Sequence, residues 1–393
     1  MNNLVILCGG RGTRISKYTK SLPKPLIRFH NISFLQYLIN FYSQYDFKKI
    51  YLLTGYKSHI VKKKFHKKKF NLVSCECIVE KKPLGTAGAL GLLPRNLKNF
   101  FLINGDSFVN YDFLKFKEFC KSRSHVMALI KNLNYKSNKK LSNLSLDSKN
   151  KVSFSLKSNF MNAGIYYFKK NLINSINKKI SLEEEVLFDL ITKKKLFGKK
   201  IAGKFIDIGL YKNIIKAKKI LSKQKKPSIF FDRDGVLFKD IGYLSNFKKI
   251  KWLNSLFSFL KINNKKFHFF IVTNQSGIGR GYFSKKQFFK LHIKIKKFFL
   301  SKNIVFQDIE FCPHHPVYAK GSYKKNCKCR KPGNLMIERL FSRWLLDRKR
   351  SFFFGDKYSD YLAAKKSRLK FIYINEKKGF QCLIKNFNNT SLI

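Results

Sequence analysis

Two tandem α/β domains are what this sequence predicts, and three observations carry the prediction. The chain has 393 residues, a length that favours two domains of ordinary size over one. Two short apolar runs each end in a special turn. Leu4-Val5-Ile6-Leu7 runs into Gly9, Gly10 and Gly12, and Ser228-Ile229-Phe230-Phe231 runs into Asp232. Such runs suit buried parallel strands with sites at their C-terminal ends. Between the halves, residues 222–227 (Ser-Lys-Gln-Lys-Lys-Pro) are polar and end in proline. The expected domains are therefore 1–221 and 228–393, joined by this linker.

The remaining elements follow in order. Apolar segments predict strands at Ile50–Thr54, Phe100–Asn104, Val126–Ile130, Ala163–Phe168, Phe269–Thr273, Ser351–Phe354 and Phe371–Ile374, with helical patterns between many of them. Ser181-Leu182-Glu183-Glu184 fits a capping box opening one helix. No run of 18 or more uncharged apolar residues occurs, so a membrane span is not expected. The start, MNNLVILCGGRG, lacks a cationic segment before its apolar run and reads as a first strand, not a signal peptide; a cytoplasmic, reducing setting follows as an expectation.

The chain carries 82 Lys+Arg against 22 Asp+Glu, a net charge of +60. Such a field attracts polyanions, and one reading is a nucleic-acid binder. The other is compositional drift, since Lys, Asn, Ile, Phe and Tyr are all abundant and the lysines are spread through both halves. Drift predicts only nonspecific, salt-sensitive binding. The scarcity of acids makes those in two short segments informative: Asp232 and Asp234, then Asp356 and Asp360.

In Asp232-Arg233-Asp234-Gly235, residues two apart in an extended segment point the same way, so both carboxylates can converge on one centre. One can attack phosphorus and form an aspartyl-phosphate, and the other can protonate the leaving oxygen and then activate water. Two close carboxylates also call for a hard cation, and Mg²⁺ suits them. Thr273-Asn274-Gln275-Ser276-Gly277 offers hydroxyl and amide groups to phosphate oxygens, Lys331 offers a point charge, and Gly355-Asp356-Lys357-Tyr358-Ser359-Asp360 offers a second acidic turn. These elements, in this order, resemble the haloacid dehalogenase superfamily. The resemblance implies a parallel Rossmannoid sheet, Asp232 as nucleophile and Asp234 as acid/base. It also implies Thr273, Asn274, Arg330 and Lys331 at the phosphate, Asp232, Asp234 and Asp356 at Mg²⁺, and Asp360 as a supporting carboxylate.

Cys312-Pro313-His314-His315-Pro316 precedes Cys327-Lys328-Cys329, giving C-x-H, twelve residues, then C-x-C. Three thiolates and one imidazole form a closed tetrahedral set for structural Zn²⁺, with Cys312, His314, Cys327 and Cys329 as ligands and His315 as the substitute. A disulfide or buried core cysteines are the alternatives. Cys8, Cys75, Cys77, Cys120 and Cys382 lack partners at ligand spacing and are expected to be packing residues. The Cys/His loop followed by Arg330-Lys331-Pro332 resembles the D-glycero-D-manno-heptose 1,7-bisphosphate phosphatases, with the related histidinol phosphatases sharing the layout. Asp240, Gly242 and Tyr243 also fit the heptose enzymes.

In the N-terminal half, Cys8-Gly9-Gly10-Arg11-Gly12-Thr13-Arg14 follows the first strand, and Pro23-Lys24-Pro25-Leu26 comes soon after. Glycines let backbone N–H groups approach phosphates, while Arg14 and Lys24 can neutralise them. Asp106 and Asp207 could hold Mg²⁺ between them and the phosphates. With residues 80–88 (Glu-Lys-Lys-Pro-Leu-Gly-Thr-Ala-Gly) and Asn162-Ala163-Gly164, these motifs resemble the sugar-1-phosphate nucleotidyltransferases over about residues 1–220. The implied fold is a Rossmann-like mixed sheet. The implied contacts are Gly9, Gly10, Gly12, Glu80 and Gly85 at the nucleotide, Arg14, Lys24 and Lys157 at phosphates, and Asp106 and Asp207 at Mg²⁺. The Glu-Lys pair of that family reads Leu156-Lys157 here, which puts its sugar contact in doubt; Glu183 is a candidate replacement, or else a solvated acid in a helix's first turn. Guanine presents two N–H donors on one edge, which the Glu80 carboxylate can accept, so GTP is the expected nucleotide.

Together the halves suggest consecutive steps: heptose 1,7-bisphosphate loses its 7-phosphate, and heptose 1-phosphate then receives a nucleotidyl group, the product serving surface polysaccharide. The alternatives are a different sugar phosphatase fused to a mannose-1-phosphate-type guanylyltransferase, and a basic nucleic-acid-binding protein with decayed sites.

Overall fold

The computed structural model describes residues 2–15, 19–131, 141, 143–169, 172, 179–223 and 225–387. The strands of the N-terminal half are β1 (Asn2–Leu7), β2 (Arg28–Phe29), β3 (Ile32–Ser33), β4 (Phe47–Thr54), β5 (Lys69–Phe70), β6 (Val73–Val79), β7 (Asn99–Asn104), β8 (Ser107–Val109), β9 (His125–Lys131), β10 (Leu144–Leu146), β11 (Val152–Phe154), β12 (Phe160–Lys169), β13 (Phe197–Lys200) and β14 (Phe205–Asp207). The main sheet runs β11-β10-β12-β7-β1-β4-β6-β5, with β9 joining β12 to β13. β7, β1, β4 and β6 are parallel to their neighbours in that series, while β12 is antiparallel to β7 and β9, so the sheet is mixed. Leu4, Val5 and Ile6 of β1 are wholly buried and belong to cores on opposite faces of the sheet. Coverage on both faces explains why β1 reads as a continuous apolar run.

The second sheet holds β15 (Lys226–Phe231), β16 (His268–Asn274), β17 (Phe306–Cys312), β18 (Leu346–Gly355) and β19 (Lys370–Tyr373), in the order β17-β16-β15-β18-β19 with every pair parallel. The chain leaves β15 toward β16 and later returns to its other side at β18. The resulting crevice at the strand C-termini is where ligands bind in open α/β sheets.

Two local expectations shift. Ser222 and Lys223 close the helix Tyr211–Lys223, while Lys226 and Pro227 open β15, so the expected linker contributes to both flanking elements. Pro227 is tolerated near the start of a central strand because a register shift falls there. At Ser181, the side chain accepts from Glu184 N as expected of a capping residue, but in the reciprocal bond Ser181 N donates to Glu185 Oε1 (2.7 Å), not to Glu184. The first turn, Leu182–Val186, is π-helical, and its larger number of residues per turn moves the partner one residue along.

The two sheets meet through a buried polar interface beside β17. Asn71 donates from its backbone to Asp308 Oδ1 (3.1 Å) and from Nδ2 to Phe306 O (2.9 Å). Asn31 and Asn40 donate to the carbonyls of Phe341 (2.7 Å) and Arg343 (2.6 Å), and Leu345 packs into a core of the first domain. Lys296 Nζ reaches Asn71 O (3.1 Å) and Ser43 O (2.5 Å). Burial pushes its pKa down to about 7, with Asp46 and Asp308 opposing. Between pH 7 and the ordinary lysine range the unfolded chain binds this proton and the folded chain does not, so stability rises with pH across that window. Lys226, lowered to about 8 by burial, acts in the same direction. The thermal unfolding midpoint is expected to climb from pH 7 to pH 9, and the climb should shrink in Lys296→Met; an equal climb in both proteins would remove Lys296 as its source.

Candidate active sites and a candidate metal centre

In the second sheet, Asp232 follows β15 directly, and its backbone N–H donates to Phe354 O of β18 (2.9 Å). The neighbouring strand thus fixes the turn at the crevice. Lys331, 3% exposed, reaches in from the loop after Cys329. Its ammonium lies 2.8 Å from Asp232 Oδ1 and 2.7 Å from Asp360 Oδ1 as an ion pair with both carboxylates, and it donates to Val272 O (3.2 Å). Asp360, expected as a support, is fully buried and also accepts from the backbone N–H groups of Asp356 and Lys357. Gly235 has φ +82°, and a Cβ there would collide with the Asp356 carboxylate, so the turn requires glycine.

Asp232, Asp356 and Asp360 present carboxylate oxygens within 4.8 Å of one another. Burial raises the pKa of Asp232 to about 7, with Lys331 the main opposing influence, and raises that of Asp356 to about 6. Three acids share one buried ammonium, and Asp356 Oδ1 is buried without a hydrogen-bond partner. A divalent cation fits this donor set: it would supply the missing charge and take the orphaned oxygen.

Two expected roles need correction. Asp234 is not in the acidic cluster: its Oδ1 accepts from Arg233 Nη2 (2.8 Å), and its Oδ2 from Arg233 Nε (3.0 Å) and Gln275 Nε2 (2.9 Å). Asp234, expected at Mg²⁺ and as acid/base, has its carboxylate held by the guanidinium beside it. Asn274, expected at the phosphate, instead clamps the Lys331 backbone. Its Oδ1 accepts from Lys331 N (3.0 Å), and its Nδ2 donates to Lys331 O (3.2 Å). Thr273 is buried at the end of β16, its hydroxyl accepting from Gln275 Nε2 (2.9 Å). At the rim, Asp240 pairs with Lys357 (3.0 Å) and accepts from Gly242 N, and Tyr243 packs on Tyr282.

Cys312 ends β17, and the loop beyond returns to it at Cys327 and Cys329. The three sulfurs lie 3.2–3.5 Å from one another, and His314 Nδ1 lies 3.5 Å from Cys312 Sγ and 3.3 Å from Cys329 Sγ. A disulfide needs about 2.05 Å between sulfurs; a tetrahedral metal with Zn–S bonds of about 2.3 Å spaces them at about 3.8 Å. The set fits a metal and not a disulfide. His315 is engaged elsewhere, its Nδ1 accepting from Val317 N and Tyr318 N. Arg330 donates to His314 O (3.3 Å), tying the loop to the residue before Lys331. Of the cysteines expected only to pack, Cys8, Cys75, Cys77 and Cys120 are buried, but Cys382 is exposed on the helix Gln381–Asn386 and does not fit that role.

The first domain opens a cleft of about 680 Å³ at the C-terminal ends of β1 and β7, lined by residues that include Gly9, Gly10, Arg11, Arg14, Lys24, Glu80, Gly85, Asn104, Asp106 and Glu183. Gly9 lies so close to Glu80 that a Cβ would strike its carboxylate, while Glu80 Oε2 accepts from Leu84 N (3.1 Å). Lys24 and Asp106, expected on opposite sides of the phosphate chemistry, form one ion pair (2.5 Å). Gly12, Lys157 and Asp207 do not line the cleft. Gly12 lies beneath Thr19 and Lys24, Lys157 is exposed on the turn before β12, and the Asp207 carboxylate accepts from Gly209 N (2.7 Å). The β14–β8 pairing nonetheless sets Asp207 opposite Ser107, next to Asp106. Leu156 is 87% exposed, so it takes no acid's place in the cleft. Glu183 does line it, its Oε2 accepting from Thr86 Oγ1 (3.0 Å). Thr86 also accepts from Leu182 N (2.8 Å), a bridging role its motif did not reveal.

Two catalytic centres on two α/β domains, one handling nucleotide phosphates and one a phosphomonoester, define a bifunctional enzyme of phosphate chemistry. The nucleotidyl transferase family matches residues 3–245. A D-glycero-beta-D-manno-heptose-1,7-bisphosphate 7-phosphatase of Rhodopseudomonas palustris is 35% identical over 145 residues, 37% of this chain and 81% of that protein. A D-glycero-alpha-D-manno-heptose-1,7-bisphosphate 7-phosphatase of Photorhabdus laumondii is 35% identical over 139 residues, covering 35% and 76%. Among solved structures, HddC from Yersinia pseudotuberculosis aligns over 56% of this chain and 99% of its own, at 26% identity and a TM-score of 0.48. The chain belongs to the nucleotidyl transferase family and, in its C-terminal part, to the heptose-bisphosphate 7-phosphatase family. Both are enzyme families, and the reading as a decayed nucleic-acid binder loses its ground. No helix among the described residues is long and apolar enough to cross a membrane.

Proposed function

We propose that the chain removes the 7-phosphate of D-glycero-D-manno-heptose 1,7-bisphosphate and then transfers GMP from GTP to the heptose 1-phosphate. The observation that carries the first half is the Lys331 ammonium between Asp232 and Asp360, beside the orphaned oxygen of Asp356. Asp232 attacks the distal phosphorus, and the bond from phosphorus to the sugar oxygen breaks as Asp234 delivers a proton to that oxygen. Water then attacks the aspartyl-phosphate, giving its proton to Asp234 and freeing Asp232 and phosphate. Lys331 and Thr273 hold the phosphoryl oxygens. Asp232 and Asp356 are the residues that would hold Mg²⁺, which when bound would neutralise negative charge on the phosphoryl group.

In the cleft of the first domain, Arg11, Arg14 and Lys24 hold the nucleotide phosphates, and Asp106 and Asp207 are the residues that would hold a second Mg²⁺. The sugar 1-phosphate attacks the α-phosphorus in line, and pyrophosphate leaves. No protein nucleophile is required, because positioning and charge neutralisation carry such a displacement. The phosphatase must then act on the distal phosphate, since its neighbour consumes the other. The Cys312, His314, Cys327 and Cys329 set is assigned to structural Zn²⁺ on its three thiolates and single imidazole.

Incubation with heptose 1,7-bisphosphate, GTP and Mg²⁺ should yield phosphate, pyrophosphate and a nucleotide sugar in equal amounts. Glu80 can accept both edge donors of guanine. Turnover with GTP is therefore expected to exceed that with ATP, UTP or dTTP by at least about tenfold; a preference for ATP would sink the assignment.

A further inference from the structure

Arg233 stands between the two acids of its turn, yet it is 1% exposed and heads the largest fully buried side chains among the described residues. A buried guanidinium is costly unless paired and fully hydrogen-bonded. Three of its five N–H donors are engaged: Nε and Nη2 form a two-pronged fork on the Asp234 carboxylate, at 3.0 and 2.8 Å, and Nη1 lies 3.2 Å from His292 Nε2. His292 is buried, and burial together with Arg233 holds its pKa far down, so its neutral ring accepts. The rings of Phe238 and Phe288 flank the guanidinium at 5.5 and 6.0 Å. Gln275 adds a second donor on Asp234 Oδ2 and ties it to Thr273. Arg233 is thus fixed from several sides, and it fixes Asp234.

The geometry has a consequence for the metal. Asp234 is two residues from Asp232, close enough to join Asp232, Asp356 and Asp360, and it does not. Three of the roughly four lone-pair sites of the Asp234 carboxylate accept N–H groups of Arg233 and Gln275, which leaves one on Oδ1. We propose that Arg233 is a positioning residue that holds the Asp234 carboxylate beside the metal site but out of it, keeping it available to the departing oxygen. The inference rests on the phosphatase reading above.

The test is Mg²⁺ binding by calorimetry in an Asp207→Ala background, which weakens the cation site of the first domain. Arg233→Met should bind Mg²⁺ about tenfold more tightly than its parent, because Asp234 is released to the cluster. Adding Asp234→Asn should abolish that gain. Arg233→Lys keeps the charge without the fork and should fall between the two; it decides the matter if the methionine variant does not fold. Phosphate release at saturating Mg²⁺ should drop about 100-fold in Arg233→Met. Affinity unchanged or weakened in the folded variants would overturn the role given to Arg233. Phosphate release by the parent is measured alongside: its absence would remove the phosphatase reading, whereas the Mg²⁺ comparison bears on Arg233 alone.

Discussion

Asp232→Asn should stop phosphate release from heptose 1,7-bisphosphate, by about 10⁴-fold or more, while pyrophosphate release from GTP and heptose 1-phosphate continues. The size of the loss follows from the site. The amide is nearly isosteric and can keep the contact of Asp232 Oδ1 with Lys331, but it cannot form an aspartyl-phosphate. No second carboxylate is placed to substitute, since Asp360 is fully buried behind Lys331 and Asp356 faces the cation position. The substitution also lowers the local negative charge, which should weaken Mg²⁺ binding at the acidic cluster. The reciprocal variant, Asp207→Ala, should stop pyrophosphate release and spare phosphate release. Parallel assays of both products read the two sites separately, and phosphate release surviving in Asp232→Asn would end the nucleophile assignment.

The strands that carry these sites were legible because they are buried on both faces and therefore read as unbroken apolar runs: β1, β7, β15 and the second half of β18. β6 and β17 were not. β6 alternates buried and half-exposed residues, and β17 carries Asp308 and Glu310, whose charges are answered by Arg343 from a distant helix. That pairing cannot be read locally. The same holds for the interface between the halves, where Asn31, Asn40 and Asn71 look like ordinary turn or helix residues until the carbonyls they meet, some 235 to 310 positions away, are known. At the phosphatase site the motif supplied the residue types but not their orientation. A two-residue spacing says that Asp232 and Asp234 share a face; it does not say that the intervening Arg233 folds back and claims one of them. In the cleft, Glu183 and Thr86 stand 97 positions apart in sequence, and the hydrogen bonds that Thr86 makes with Glu183 and Leu182 tie that helix start to the nucleotide-side loop.

Loss of the Cys/His metal should be the other large effect, and its reach extends past the loop. Cys329 sits two residues before Lys331, and the segment between them is held at Arg330 by His314 O and at Lys331 by Asn274. Lys331 can enter the site only if this stretch is anchored at both ends. Without the proposed metal, three sulfurs 3.2–3.5 Å from one another, with His314 Nδ1 3.3 Å from Cys329 Sγ, have little reason to stay together, and the folding free energy that a structural zinc contributes, about 10 kcal/mol or more in small zinc domains, would be withdrawn from this end of the domain. Cys329→Ser is therefore expected to lose bound zinc, to lower the unfolding midpoint, and to reduce phosphate release at least about 100-fold, with pyrophosphate release retained. His314→Ala should behave alike, whereas His315→Ala should keep its zinc, because His315 serves the backbone of Val317 and Tyr318 instead. Elemental analysis of the three purified variants decides between the neighbouring histidines: zinc lost from His315→Ala but kept in His314→Ala would reverse the assignment, and zinc kept in Cys329→Ser would detach the loop's metal from the placement of Lys331.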